Sequence, residues 1–336
     1  MLKMTITPER WPTRSPFRIS GYTFTDCEVI VVELSSDGVC GRGEAAGVYY
    51  HKETVASMTA QLERVRARIE SGASRQRLRE LLPAGGARCA LDCALWDLEA
   101  KQSGVPVFRK AGLHALHPLQ TTYTVSAGPA PQMADMALSY PSAARLKLKL
   151  TGEEDEARLR AVRSVRPDAW IAIDANQGFT RRSLEELLPV LVELDIQLIE
   201  QPLPVGCEAQ LRGLDSPIPM AADESIQSLR DVDRAQGLFQ VVNIKLDKCG
   251  GLTEALDMVR EIRRLGMKPM VGCMQGTTLS IAPACVVGAL CEIVDLDAPM
   301  FLTNDRVPSA VYQNGTVTCP ANWGFPSSGA LAEVTA

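Results

Sequence analysis

Residues 145–150 read RLKLKL, an apolar strand pattern that carries Lys147 and Lys149 towards its end. Four later stretches repeat the device: AIDAN (172–176, with Asp174 and Asn176), LIEQP (198–202, with Glu200), AADES (221–225, with Asp223) and NIKLD (243–247, with Lys245). From Lys149 the key residues follow at steps of 25, 26, 23 and 22. One strand, one helix and two loops take about that many residues. The even beat therefore brings three carboxylates and two lysines round to one end of a barrel of parallel strands.

The sequence on either side fits that reading. From about residue 119, strand-like runs alternate with helical ones: TTYTVSA, RLKLKL, AWIAIDAN, QLIEQPL, PMAADES, VVNIKLD, KPMVGCM and CEIVDLD. Helical pattern fills 131–139, 153–165, 181–194, 228–236, 252–265 and 278–290. Eight strands alternating with helices predict an α/β fold with a parallel sheet, most economically closed as a barrel whose chemistry sits at the C-terminal strand ends. The first 112 residues differ. FRISGYTF, CEVIVVEL and GVCGRGEA alternate with period two around a Ser-Ser-Asp-Gly turn, which predicts a small antiparallel sheet. Residues 53–70 and 74–81 read as helical. ARCALDCALWDLEAK (87–101) has apolar residues at 90, 91, 94, 95 and 98, one helix stripe. The division expected is an α+β domain over 1–112, a barrel over 113–298, and a segment over 299–336 that returns to the first domain without helical periodicity.

Composition narrows the function. The 336 residues are 46% hydrophobic and 22% charged, an ordinary globular profile. A net charge of −5 favours neither nucleic acid nor an anionic membrane, and no apolar run reaches the length of a membrane span. MLKMTITPERWP lacks the apolar core and small-residue cleavage site of a signal peptide. The ten cysteines have no metal-site spacing and sit largely in apolar company, as buried free thiols of a reducing cytoplasm would. The three histidines all lie outside the charged stretches, which excludes zinc enzymes of the HExxH kind.

Strand parity sorts the charged residues. Alternate side chains share a face, so Lys147 goes with Lys149, Asp174 with Asn176, and Asp295 with Asp297, whereas Asp223 and Glu224 point apart. One acid at a strand end is usually solvated or salt-bridged; three at matching ends form an all-oxygen site that suits Mg²⁺. A metal holding a substrate carboxylate beside lysines suggests removal of an α-proton with stabilisation of the enolate. A lysine serves as base if a neighbouring cation or a second lysine lowers its pKa. Lys245, four strands on from Lys149, would face it across the barrel, and two lysines on opposite sides of one carbon permit inversion. The VDLDAP acids fit a substrate ammonium group.

KLKL, IDANQG, IEQPLP, ADES and NIKLDKCGGLTEAL together resemble the enolase superfamily, muconate-lactonizing subgroup, and VDLDAP makes the chain similar to the dipeptide epimerases of the L-Ala-D/L-Glu type. The likeness extends to Trp11-Pro12, to LPAGGARCALDCALWDLEAK (82–101) and to VGCM (271–274), so it spans nearly the whole chain. It implies a capping α+β domain on a (β/α)₇β modified TIM barrel, with Mg²⁺ on Asp174, Glu200 and Asp223. Lys149 and Lys245 become the acid/base pair, assisted by Lys147, and Asp295 and Asp297 hold the ammonium group of a dipeptide. Met274 and Phe24 are implied as further substrate contacts. The absence of histidine from KPMVGCM sets aside the mandelate-racemase branch with its His–Asp base. In one respect the sequence departs from Ala-Glu epimerases. Their mobile loop, resembled here by PFRISGYTFT (16–25), carries an arginine for the glutamate side chain where this chain has Phe24, and Arg18 is the nearby candidate to replace it. The expectation is a small-molecule dipeptide substrate with an apolar or small C-terminal residue, in a cytoplasmic enzyme for which a homo-oligomer is compatible. A muconate-type cycloisomerase or N-acylamino-acid racemase, and more remotely a non-catalytic peptide-binding barrel, are the alternatives.

Overall fold

The computed structural model describes residues 2–19 and 21–326. The period-two alternation at the start builds an antiparallel sheet of β1 (Lys3–Ile19), β2 (Tyr22–Ser36) and β3 (Val39–Ala46), in that order. Asp37 and Gly38 turn β2 into β3 with φ of 53° and 81°, a backbone that suits the right-handed twist of a hairpin. Helix α1 (Val55–Glu70) starts at a capping box between Thr54 and Ser57. The expected helix over 74–81 is a 3-10 turn, Arg75–Arg77, running into a single α-turn, Leu78–Leu81.

Helix α2 (Gly86–Ser103) departs from the one-stripe expectation. Its residues are buried almost all round, with Arg88, Asp92 and Asp97 among them. One face lies on β3, where Gly41 and Gly43 permit the approach: a Cβ at either would fall 2.3 Å or 2.1 Å from the helix backbone. The opposite face meets the barrel, where Arg88 and Asp92 find partners. Arg88 donates to Glu254 at 2.7 Å, and Asp92 accepts from the Thr253 N–H at 2.9 Å. A helix between two layers buries its polar face as well, provided each polar group finds a partner.

After β4 (Leu119–Gln120) the barrel follows: β5 (Tyr123–Val125), α3 (Ala130–Leu138), β6 (Arg145–Lys149), α4 (Asp155–Val165), β7 (Trp170–Asp174), α5 (Arg181–Glu193), β8 (Ile196–Glu200), β9 (Met220–Ala222), β10 (Val241–Lys245), α6 (Leu246–Cys249), α7 (Leu252–Arg264), β11 (Lys268–Gly272), α8 (Thr278–Gly288) and β12 (Ile293–Val294). The eight strands β5 to β12 run parallel in sequence order, and the Thr122 N–H donates to the Val294 carbonyl at 2.9 Å, tying the first edge to the last. The helix expected over 228–236 is a 3-10 helix, Leu229–Ala235. A 3-10 helix rises about 2.0 Å per residue against 1.5 Å, so it spans this short connection with fewer residues. No helix among the described residues is long and apolar enough to cross a membrane.

The last segment carries strands that its irregular composition concealed. β13 (Val311–Gln313) and β14 (Thr316–Thr318) form a hairpin, and β14 pairs with β4. The segment also touches the first 112 residues: Trp323 Nε1 donates to the Arg42 carbonyl at 2.8 Å, and the Gly324 N–H to Asp97 at 2.7 Å. Residues 327–336 of the expected 299–336 segment lie outside the described residues.

One ion cluster locks sheet, barrel and tail together. Glu44 on β3 is fully buried and accepts from Arg306 at 2.5 Å and from the Thr277 N–H at 2.7 Å. Arg306 also reaches Glu9 on β1 at 2.7 Å and lies over the Trp11 ring. Removing one partner of a buried pair leaves a desolvated charge. Arg306→Met should therefore lower unfolding free energy by about 3 kcal/mol, read as a depressed melting temperature, and adding Glu44→Gln should recover part of the loss.

Candidate active site

Register explains why the spacing works. Lys149 pairs with Asp174 across β6 and β7, and Asp174 with Glu200 across β7 and β8, so three charged side chains sit abreast in one layer. Asp223 follows β9 by one residue, and one ligand oxygen from each of Asp174, Glu200 and Asp223 lies within 4.8 Å of the others. All three carboxylates are buried. Lys149 donates to Asp174 at 2.6 Å from one side, and Lys245, on the sixth barrel strand, donates to Asp223 at 2.7 Å from the other. Gly272, beside Lys245 on β11, keeps the space clear: a Cβ there would lie 2.7 Å from Asn243 and 3.1 Å from the Lys245 side chain. Lys147 bridges three acids, Asp295, Glu200 (3.4 Å) and Asp174 (3.6 Å).

Asp295 and Asp297 follow β12. Asp295 is engaged by Lys147 and by the Thr122 hydroxyl; Asp297 accepts from the Thr124 N–H at 2.6 Å. Asp223 and Glu224 take different partners, and only Asp223 joins the three-acid cluster. Glu224 turns to Asn176, whose Nδ2 donates to it at 3.2 Å, and its second oxygen has no partner.

The lysines, Asp295, Asp297, Phe24 and Met274 line one cavity of roughly 410 Å³ between the barrel mouth and the antiparallel sheet. Its outer walls are aromatic. Phe17 and Phe301 stand 4.9 Å apart between ring centroids, and Phe24 meets Tyr49 edge-on at 5.3 Å. Arg18 is exposed and does not line the cavity; Arg10 does.

Charge count decides the electrostatics. Asp174, Glu200, Asp223, Glu224, Asp295 and Asp297 are buried around Lys147, Lys149, Lys245 and Lys248, so six acids face four ammonium groups. With every group ionised, two negative charges are left over. The titration shifts follow. Burial, then the Asp174 charge, push Glu200 up to about 8. Burial and the Asp295 charge push Asp297 up to about 7, and burial with Asp223 takes Glu224 to about 7. Burial acts against the charged form of Asp223, but Lys245 and Lys248 overcome it and hold that carboxyl far below the usual range. Burial alone would lower Lys147 and Lys245. The surrounding carboxylates, Asp295 and Glu200 for the first and Asp223 and Glu200 for the second, raise both well above the ordinary ammonium value instead. Like charge from Lys245 also acts to lower Lys147, but the carboxylates around it outweigh that effect.

Three buried carboxylates, no sulfur or imidazole, and an excess of two negative charges fit a divalent hard cation such as Mg²⁺. A cation there would reverse the local titration logic.

Sequence reasoning missed two members. Lys248 on α6 is wholly buried and donates to the Asp223 carboxylate at 2.6 Å and to the Asn243 carbonyl at 3.1 Å, a fixed counter-charge opposite Lys245. Asn243 donates to Glu200 at 2.7 Å. Asn243 stands two residues before Lys245, so strand parity could have found it; Lys248 had no such signal, since it follows the strand on a helical turn.

Residues 1–112 match the family described as mandelate racemase / muconate lactonizing enzyme, N-terminal domain, and residues 132–326 match that described as enolase C-terminal domain-like. The chain belongs to the enolase superfamily. Among superfamily relatives, L-Ala-D/L-Glu epimerase of Escherichia coli is 36% identical over 94% of this chain and 99% of its own. A hydrophobic dipeptide epimerase of Roseobacter litoralis is also 36% identical, over 92% and 93%. A solved enolase-family structure from Agrobacterium tumefaciens, with homology to dipeptide epimerases and bound sodium and L-Ala-L-Glu, has a TM-score of 0.92 at 40% identity, covering 97% of this chain and 98% of that one. A dipeptide epimerase of Methylococcus capsulatus, complexed with Mg and L-Arg-D-Lys, has a TM-score of 0.88 at 30% identity, covering 96% and 98%.

Magnesium should raise the melting temperature of this superfamily member in a concentration-dependent way, since a ligand of the folded state stabilises by mass action. Glu200→Gln should abolish that response. Its metal-free melting temperature should stay level or rise, because the substitution removes a charge from an over-acidic cluster; thermal melts with and without Mg²⁺ read both arms.

Proposed function

We propose that this chain is a Mg²⁺-dependent dipeptide epimerase that inverts the α-carbon of the C-terminal residue by two-lysine 1,1-proton transfer. The observation that carries the proposal is the pair Lys149 and Lys245, on the second and sixth barrel strands, lining one cavity with Asp295 and Asp297. Bound by Asp174, Glu200 and Asp223, Mg²⁺ would supply the positive charge that stabilises the enolate. One lysine takes the α-proton while its opposite number, still an ammonium, returns a proton to the other face. Each lysine in this scheme exchanges its carboxylate partner for the substrate. Lys248 keeps its grip on Asp223 throughout, so the acid stays oriented when Lys245 moves. Lys147 adds fixed positive charge near the reacting carboxylate. Asp297 receives the substrate ammonium, with Asp295 sharing its charge between that group and Lys147.

Relatives at equal identity act on Glu-type and on hydrophobic dipeptides, so overall similarity does not choose a substrate. The cavity lining supports an apolar or small C-terminal residue. Phe24, Phe17, Phe301 and Tyr49 offer rings and no free cation. Burying a carboxylate among them without a partner is costly. The ten free thiols support a reducing, cytoplasmic setting.

The decisive assay is deuterium uptake from solvent at the C-terminal α-carbon across a dipeptide panel. Ala-Leu or Ala-Phe should exchange faster than Ala-Glu; a strong preference for Ala-Glu overturns the substrate assignment. Lys149→Met and Lys245→Met should each lose epimerisation by roughly 10³-fold, while each retains exchange with one epimer only. Asp297→Asn should cripple dipeptide turnover. An enzyme acting on N-acylated amino acids or muconates would barely respond, since such substrates carry no ammonium group.

A further inference from the structure

The outer wall of the cavity holds a charged device that proton transfer does not use. Alternation along β2 puts Phe24, Asp26 and Glu28 on one face, and all three line the cavity. Arg10, opposite Glu28 in the β1–β2 register, lines it as well. Arg10 Nη2 donates to Asp26 Oδ2 at 2.6 Å, and the Thr25 hydroxyl donates to the same oxygen at 3.2 Å. The other lining cations, Lys147, Lys149 and Lys245, belong to the acid cluster at the barrel mouth. Arg10 is thus the one cation of the outer wall among the described residues, and Asp26 balances its charge. Glu28 adds a further acid with no ion-pair partner among the described residues, so Arg10, Asp26 and Glu28 together present a net negative charge.

The pair does little for the fold. Arg10 is largely exposed, and exposed ion pairs add little to stability. Its consequence lies in selection. In the dipeptide-epimerase reading, a C-terminal side chain reaching past Phe24 would meet this wall. An acidic side chain at Arg10 would share the guanidinium with Asp26, which accepts from Nη2, and would approach Glu28 as well. A neutral side chain meets no such competition. Discrimination here comes from a repulsive element rather than an attractive one.

We propose that Asp26 is a specificity-determining residue: by pairing with Arg10 it offsets the one outer-wall cation among the described residues and turns acidic C-terminal side chains away. This rests on the dipeptide-epimerase reading above. The test compares kcat/KM for Ala-Glu and Ala-Leu in the wild type, Asp26→Asn, Arg10→Met and the double variant. Asp26→Asn should raise the Ala-Glu to Ala-Leu ratio by about tenfold through a freed guanidinium. Adding Arg10→Met should cancel that gain, and thermal melts should show all variants folded. A ratio that Asp26→Asn leaves unmoved, or a gain that survives loss of Arg10, overturns the assignment while the epimerase reading stands. A wild type that exchanges the α-proton of neither dipeptide defeats the epimerase reading and this assignment together.

Discussion

Six acids buried against four lysines at the mouth of an eight-stranded barrel impose the constraint to which the rest of this protein answers. Burial raises the cost of every unbalanced charge, so the cluster is tolerable only where ammonium groups and a divalent cation share the load. The positions of the lysines follow from that. Lys248 and Lys147 each hold several acceptors and act as standing counter-charges, whereas Lys149 and Lys245 each hold one metal-site acid at under 3 Å. The groups with the fewest attachments are those the proposed chemistry needs to move.

The site is also covered from outside the barrel. β1 and β2 carry aromatic rings over the cavity, β3 is packed on α2, and α2 is in turn anchored to the barrel through Asp92 and Arg88. Arg306 and Glu44 complete the join between sheet, barrel and tail. The reacting groups and the walls that select the substrate thus stand on different elements. Superfamily members with similar barrels can accordingly carry different side-chain preferences, as the Glu-type and hydrophobic relatives at the same identity illustrate.

Much of this was legible in the order of residues. All eight barrel strands were readable, because a buried parallel strand is a short apolar run and its register is set by the period of the βα unit. The acid cluster was readable for the same reason, since strand ends at equal spacing arrive abreast. Elements that depend on tertiary surroundings were less visible. The stripe on α2 hid a helix buried on both sides, the connection after β9 wound as a 3-10 helix, and the β13–β14 hairpin joins β4 through pairing of β14, a segment far off in sequence. Lys248 was invisible because a helical turn, not strand alternation, brings it under Asp223.

What the sequence by itself determined is the chemistry: which residues carry charge, how far apart they fall along the chain, and hence which of them meet at one end of a parallel barrel. Only the tertiary structure decided the charge balance and the substrate-facing wall. Protonation depends on the count of neighbours in three dimensions, which is why Lys147 and Lys245 are held as ammonium groups by acids lying from 22 to 148 residues away. The wall depends on the pairing of β1 with β2, which set Arg10 in the grip of Asp26 and left Arg18 in solvent.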